Sequence, residues 1–557
     1  VSIRRSVALV LAGAGFYSVG VSAAFAQQIL TETIEVRVAN IDVVVRDRQG
    51  KSVSGLGKDD FELAEDGVPQ TITNIYEVRR GDDGDAAGVP LELRQRRVVL
   101  FVDTTSLTPA RRQAVLASIV RFFDKTWRPE DRAMLVAWQL GARVVTPFTN
   151  DMNELKRGLE TIGRVASGGE SSQRAVSNLR RNIEDLYDTA ENEEERQRPM
   201  VSWAEAHRLS RSLVERYSEQ LVAQQERMLD AVRDVTDGMA GLEGKKVLVF
   251  IGENLPHRPG AELYRYVHDR YAPHLNLNTP IELGIVSGVP GHSMPSRIEQ
   301  LARDASANGV IIYSIGAAPS DADVSSENSL ETSHGYVFTR DANTSAALDA
   351  LAGITGGMSI TRASNFDLAF DTIDRDLSSY YSIGYRPAGE SRRQHRIVVR
   401  TKNRLYTARA RQTFTTKSSD DQMADRAIAN LYVDPNHNDW LISVRTGTPQ
   451  GESGRFVVPV EVVIPSTVTL IPHEGNLAGR LTLYFVVGNG AGGLSPVIRR
   501  HQDIRIPPSA ETLARAKPMM FRTGIGVNGG ESILSVGIVD QLSGATGFTR
   551  ARIVANP

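Results

Sequence analysis

Val98-Val99-Leu100-Phe101-Val102 runs without a polar residue into Asp103-Thr104-Thr105-Ser106-Leu107, and Thr108-Pro109 follows at once. A continuous apolar run of this length is the mark of a strand buried on both faces of a parallel sheet. Thr108-Pro109 then opens a helix, with Thr as N-cap and Pro at the first helical position, and Val115, Ile119 and Phe122 fall on one face of it. Val247 to Ile251 and Val310 to Ile315 repeat the strand signal, with helix-patterned Ile298, Leu301 and Ala305 between them. Met134 to Trp138 and Arg143 to Pro147 add two more strands. Strands alternating with helices in this way predict a doubly wound, Rossmann-like α/β domain over residues 95–380.

Working outward, a long helical stretch, residues 172–240, interrupts this domain. Val176, Leu179, Ile183 and Leu186 form one stripe; Leu209, Leu213, Tyr217, Leu221, Met228 and Val232 form another. The acidic run Glu193-Glu194-Glu195 and Pro199 mark a break between two helices, and Ser202-x-x-Glu205 is a capping box that restarts the second. The stripes predict packing against the domain, with a partner-binding arm as the alternative.

Both flanks read as β. Residues 34–78 alternate (Ile34, Val36, Val38; Ile41, Val43, Val45), but hold too few strands to close a sandwich alone. Tyr380 to Tyr385, His395 to Arg400 and Tyr406 to Gln412 are expected to complete it, making residues 27–80 plus 381–415 one discontinuous β-sandwich. Gly81 to Arg97 and Thr415 to Asp425 read as linkers. Residues 426–557 hold several strand-like runs between Gly, Pro and Asn turns and predict a second β-sandwich. No repeat recurs at a fixed period.

The 557 residues suffice for about three domains, and the composition is ordinary for globular chains. Lys plus Arg (64) nearly balances Asp plus Glu (66), so no global basic field holds nucleic acid or an anionic membrane. The absence of cysteine excludes disulfides, thiol catalysis and thiolate metal sites. Residues 1–26 read as a secretory signal peptide: Arg4 and Arg5, an apolar run from Val7 to Ala24, and the A-x-A site Ala24-Phe25-Ala26. No later segment has the apolar length of a transmembrane helix, so the expected location is periplasmic or secreted.

In an open α/β sheet, ligands sit at the carboxyl ends of strands where strand order reverses. Asp103 and the Thr105 hydroxyl stand at such an edge, and oxygen ligands there suit Mg²⁺. Here the sequence resembles the von Willebrand factor type A domain. It is similar in particular to the exported bacterial, Acidobacteria-type branch, through Phe61-Glu62-Leu63-Ala64-Glu65-Asp66-Gly67-Val68-Pro69-Gln70, Pro147-Phe148-Thr149-Asn150-Asp151, Thr355-Gly356-Gly357 and Leu377-Ser378-Ser379-Tyr380-Tyr381-Ser382-Ile383-Gly384-Tyr385. The resemblance covers residues 34–415. It implies a metal-ion-dependent adhesion site: Asp-x-Ser-x-Ser, a Thr from a second loop and an Asp from a third. Asp103 matches, Thr105 replaces the first Ser, and Leu107 stands at the second. Ser167-Gly168-Gly169-Glu170 aligns with the second loop and Gly252-Glu253-Asn254 with the third, making Asp103, Thr105, Glu170 and Glu253 the implied ligands of a degenerate site for Mg²⁺, Ca²⁺ or Mn²⁺.

Enzyme signatures are weak. Gly241-x-x-Gly244-Lys245-Lys246 lacks P-loop spacing and precedes a strand, so it reads as a turn. His257, His268, His274 and His292 lack zinc-protease spacing and read as surface loop residues, and no Gly-x-Ser-x-Gly elbow occurs. The resemblance implies an exported, non-enzymatic protein that binds a protein or surface ligand at the Asp103 edge. Two other classes stay open: a hydrolase using Glu170 and Glu253 for acid–base work, and a metal-independent assembly scaffold acting through the helical stretch or the C-terminal sandwich.

Overall fold

The structure is a computed structural model that describes residues 39–80, 89–165, 168–196, 202–253, 255–275, 294–317, 334–387, 393–432, 440–452, 454–489 and 493–555. The expected signal peptide, the first alternating residues from Ile34 to Val38, and the break around Pro199 lie outside them.

In chain order, β1 (Ala39–Arg46), β2 (Phe61–Glu65), β3 (Val68–Gln70) and β4 (Ile72–Arg79) come first, then a one-turn helix α1 (Leu91–Arg94). The α/β unit follows with β5 (Arg96–Asp103), α2 (Pro109–Thr126), β6 (Arg132–Trp138), β7 (Ala142–Thr149), α3 (Met152–Arg164), α4 (Gly169–Arg196) and α5 (Trp203–Met239). It continues through β8 (Lys245–Gly252), α6 (Ala261–Leu275), α7 (Met294–Ala307), β9 (Val310–Gly316), α8 (His334–Gly353), β10 (Ser359–Ile360) and α9 (Phe366–Ser378). Next come β11 (Ser379–Tyr385), β12 (Gln394–Thr401), β13 (Thr407–Ala410), β14 (Thr413–Thr415) and α10 (Ser419–Ala429). The chain ends in β15 (Ser443–Thr446), β16 (Gln450–Glu452), β17 (Arg455–Ile464), β18 (Ile471–His473), β19 (Asn476–Asn489), β20 (Ile498–Ile506), the short α11 (Glu511–Ala516), β21 (Met519–Asn528), β22 (Gly530–Asp540) and β23 (Thr546–Ala555).

The central sheet has the order β10-β9-β8-β5-β6-β7. β5 pairs in parallel with both β6 and β8, and β7 runs antiparallel along the edge. This is the doubly wound order, and its reversal falls between β5 and β8. Alternation along β5 builds the two cores, because successive side chains leave a strand on opposite faces. Val98, Leu100 and Val102 join Ile119, Phe122, Leu159 and Phe370 on one face. Val99 and Phe101 join Met228, Val232, Ile298 and Leu351 on the other.

A third apolar cluster lies among α4, α5 and α6, through Leu179, Ile183, Val214, Leu263 and Tyr271. The 28-residue α4 continues through the acidic run Glu193-Glu194-Glu195, where the sequence predicts a break. In the 37-residue α5, the N-terminal buried row is Ala206, Ser210, Val214 and Ser218, while Tyr217 and Leu221, part of the expected apolar stripe, line an adjacent cleft. Small side chains at a spacing of four let α6 approach. Gly260, at φ +81, sits where an added Cβ would meet Ser218 Oγ at 1.9 Å. Half of the expected capping box forms: Ser202 accepts from the Glu205 N–H, and the Glu205 carboxylate turns to Arg208.

Strands from the two flanks of the α/β unit pair with one another. β1 lies between β11 and β13, β11 between β1 and β4, and β2 between β12 and β3. Ile41, Val43, Phe61, Leu63, Ile383 and Ile397 share one apolar cluster. Buried ion pairs tie these strands to the α/β unit: Asp131 bonds Arg80 at 2.8 Å and Arg96 at 2.7 Å. Two sheets built from β15 to β23 close over a separate core of Val458, Val460, Leu483, Phe485, Val536 and Ile538. Among the described residues no helix is long and apolar enough to cross a membrane.

Candidate functional site

The reversal between β5 and β8 brings three loops together. The loop after β5 is tied to β6 by the Thr104 N–H and hydroxyl, both donated to the Trp138 carbonyl at 3.0 and 2.7 Å. The loop before α4 lies on top of it, with the Gly168 N–H donated to the Thr104 carbonyl at 3.1 Å. Glycine is required there by contact: a Cβ on Gly168 would meet Thr105 Cα at 2.9 Å, and one on Gly169 the Leu107 carbonyl oxygen at 2.7 Å. The loop after β8 is joined to the first by Ser106, whose hydroxyl accepts the Glu253 N–H at 2.9 Å.

Asp103, only 2% exposed, accepts through Oδ1 from the Thr105 N–H at 2.9 Å and the Thr105 hydroxyl at 2.5 Å. Burial raises its carboxyl above the usual range, against the hydrogen bonds from Thr105 and Ser106. Glu253 accepts the Thr108 N–H at 3.2 Å at the start of α2 and lies 3.7 Å from Arg111 Nε. A carboxylate at a helix N-terminus is well placed, yet burial pushes Glu253 up to about 7. Thr108 and Arg111 oppose that shift and the Asp103 charge adds to it. Arg111 also donates from Nη1 to the Ala317 carbonyl at 2.5 Å, so one guanidinium spans the loops after β8 and β9.

Asp103, Thr105 and Glu253 therefore stand at one edge, and Glu170 does not join them. α4 begins at Gly169, which places Glu170 in the first turn, exposed and 3.6 Å from Arg174 at i+4. Leu107 is fully buried in the core under α2. Among the described residues no three His, Asp or Glu side chains converge to hold a metal. The edge does not fit the divalent ion the family resemblance implies: Leu107 offers no oxygen, Glu170 lies outside, and the Arg111 guanidinium already sits beside Glu253 as the positive charge.

The three loops open into a cleft of about 1080 Å³ lined also by α4, α5, α8 and the segment Thr361 to Phe366. Sequence reasoning missed Ser106, Arg111 and Arg180 here. Ser106 occupies a spacer position of the motif, Arg111 stands one turn into α2, and Arg180 interrupts an apolar helix face. The remaining candidates serve packing. His268 and His274 belong to α6, not to loops, and His274 stacks on Trp203 at 3.8 Å. His292 lies outside the described residues. Lys245 sits under the Tyr380 ring, its ammonium 3.2 Å from the centroid, and burial lowers it to about 8.

No family model matches the chain, and no curated protein matches it. Among solved structures it is similar to an aerotolerance-related membrane protein from Bacteroides fragilis NCTC 9343, with 11% identity, 50% of this chain and 98% of that one covered, and a TM-score of 0.23. The vWF domain of the type V pili tip protein Mfa5 from Porphyromonas gingivalis gives 12% identity, 51% and 96% coverage, and a TM-score of 0.25. Three N-terminal domains of the same tip protein give 11%, 77% and 74%, and 0.24. At these scores the likeness carries no argument of its own; the architecture rests on strand order and the site on its geometry.

Proposed function

We propose that this is an exported, non-enzymatic binding protein that receives a segment of a protein partner in the cleft at the β5–β8 edge, with no metal ion. The observation that carries the reading is the edge itself. It lies at the switch point where doubly wound sheets bind ligands, and a guanidinium held by Glu253 and Ala317 supplies a fixed positive charge there. The motifs at Phe61 to Gln70 and Leu377 to Tyr385 support the exported bacterial branch of von Willebrand A-like proteins, and Arg4 to Ala26 support export.

A second reading, hydrolysis, draws on Glu253, whose carboxyl near 7 in a cleft suits a general acid–base group. Its Oε1 is engaged by Thr108, and the other candidate carboxylate, Glu170, lies outside the cleft.

The test is peptide selection by phage display on the purified chain, repeated with Ser172→Trp, which fills the cleft from an exposed position of α4. Selected peptides should bind in EDTA, lose at least tenfold in affinity to the variant, and be recovered intact by mass spectrometry. Binding that needs Mg²⁺, Ca²⁺ or Mn²⁺ and disappears in Asp103→Ala would overturn the metal-free reading. Cleaved peptides would favour the hydrolase.

A further inference from the structure

The cleft holds a second cation whose surroundings differ from those of Arg111. Arg180 projects from α4 into the cleft and is only 5% exposed. Its guanidinium lies against two tyrosine rings that meet edge to face 6.4 Å apart, 4.8 Å from the Tyr266 centroid on α6 and 5.0 Å from that of Tyr336 on α8. Among the described residues, Nε and Nη2 find no hydrogen-bond acceptor. These two nitrogens share one edge of the planar group, the fork that holds a carboxylate with two parallel hydrogen bonds.

The nearby carboxylates are engaged elsewhere. Glu184, one turn along α4, accepts from the Tyr266 hydroxyl and from Arg270 at 3.0 Å. Asp341 pairs with Arg340 and Arg362. Glu262 lines the cleft and accepts from Asn343 at 3.4 Å. Five arginines line the cleft against the four carboxylates of Asp103, Glu253, Glu262 and Asp341. A buried guanidinium with two unpartnered nitrogens is costly, and the tyrosine rings packed against it leave Nε and Nη2 without an acceptor.

We propose that Arg180 anchors a carboxylate of the ligand, so that the partner segment presents an acidic side chain, Asp or Glu, to the guanidinium edge beside Tyr266 and Tyr336. The inference rests on the cleft being the binding site and adds the chemistry it selects.

The test is calorimetric titration of the full chain with a hexaglutamate peptide, with hexaglutamine, succinate and inorganic phosphate as parallel probes. Hexaglutamate and succinate should bind, hexaglutamine should not, and Arg180→Met should weaken the acidic probes at least tenfold. Arg180→Lys keeps the charge and loses the fork, so it should fall between the two. Thermal unfolding separates binding from packing. Arg180→Met removes a buried guanidinium whose Nε and Nη2 lack acceptors and should melt no lower than the parent, while hexaglutamate should raise the melting temperature of the parent alone. A lower melting temperature in the variant, unchanged hexaglutamate affinity, or binding of phosphate without the acidic peptide would each overturn the proposal. Display-selected peptides that bind the parent and Arg180→Met equally would sink this inference and leave the cleft reading intact. A chain that binds no peptide of any charge would sink both.

Discussion

Replacing Glu253 with Gln tests the electrostatics of the edge directly. The carboxyl lies at about 7 against an ordinary 4.5, with burial as the main cause. At 1.36 kcal/mol for each tenfold change in proton affinity, ionising Glu253 at pH 8 costs the folded chain about 3 kcal/mol more than the unfolded one. The sign follows from the raised folded value. The stability of the parent is fully present below the unfolded value near 4.5 and is lost as pH rises through about 7. Gln keeps the shape and an oxygen that can accept the Thr108 N–H, but it does not titrate. Glu253→Gln should therefore match the parent near pH 4.5 and exceed it by about 3 kcal/mol at pH 8, a figure that already includes the pairing with Arg111. The assay is urea unfolding followed by tryptophan fluorescence. Trp127, Trp138 and Trp203, three of the four tryptophans, lie in the α/β unit and report on it. A stability difference that stays flat between pH 4.5 and 8, or a variant less stable than the parent at pH 8, would refute the reasoning.

Asp131 is the counterpart at the other end of the sheet. Burial alone would raise its carboxyl, but hydrogen bonds and charges from Arg96 and Arg80 outweigh it and hold the group below the usual range. Its contribution is present above the unfolded value near 3.8 and lost as pH falls through the lower folded value. Asp131→Asn should cost about 3–5 kcal/mol at pH 7, because two arginines lose their buried partner; unfolding no easier than the parent's would argue against it. Gly260→Ala should destabilise by about 2–4 kcal/mol, from positive φ together with the Ser218 hydroxyl. Adding Ser218→Ala should recover the steric part in thermal unfolding, and a double variant no better than the single one would place the whole cost in the backbone.

How much of this was legible in the sequence follows from which forces leave a pattern. β5, β8 and β9 are buried on both faces, so their composition alone announces them: Val98 to Val102 cannot sit at a surface. The α5–α6 contact left a fainter trace. Close packing there needs small side chains, and the row Ala206, Ser210, Val214 and Ser218 includes two serines, so Leu209, Leu213 and Leu221 beside it carry the stronger apolar signal. The acidic run in α4 misled for a related reason. Like charges discourage a helix only modestly, and the apolar positions Leu179, Ile183 and Tyr187 hold α4 against α5 and α6.

At the edge, Asp103 and Thr105 were readable because a short motif follows directly on a buried strand. Glu170 shows where motif alignment fails. Its position after two glycines is right, but with α4 starting at Gly169 the side chain falls on the solvent face of a first helical turn, where Arg174 takes it. Arg111 and Arg180 could not be read because arginine on a helix is ordinary at a surface. Only the tertiary arrangement puts one beside Glu253 and the other against two tyrosines. That arrangement also changes the chemistry of the edge. A divalent ion at such a site makes recognition depend on an exchangeable cofactor, whereas a guanidinium fixed by Glu253 and the Ala317 carbonyl makes the positive charge a permanent part of the chain. On the proposed anchor at Arg180 in the same cleft, chelators should leave the binding of acidic peptides unchanged while Arg180→Met weakens it at least tenfold.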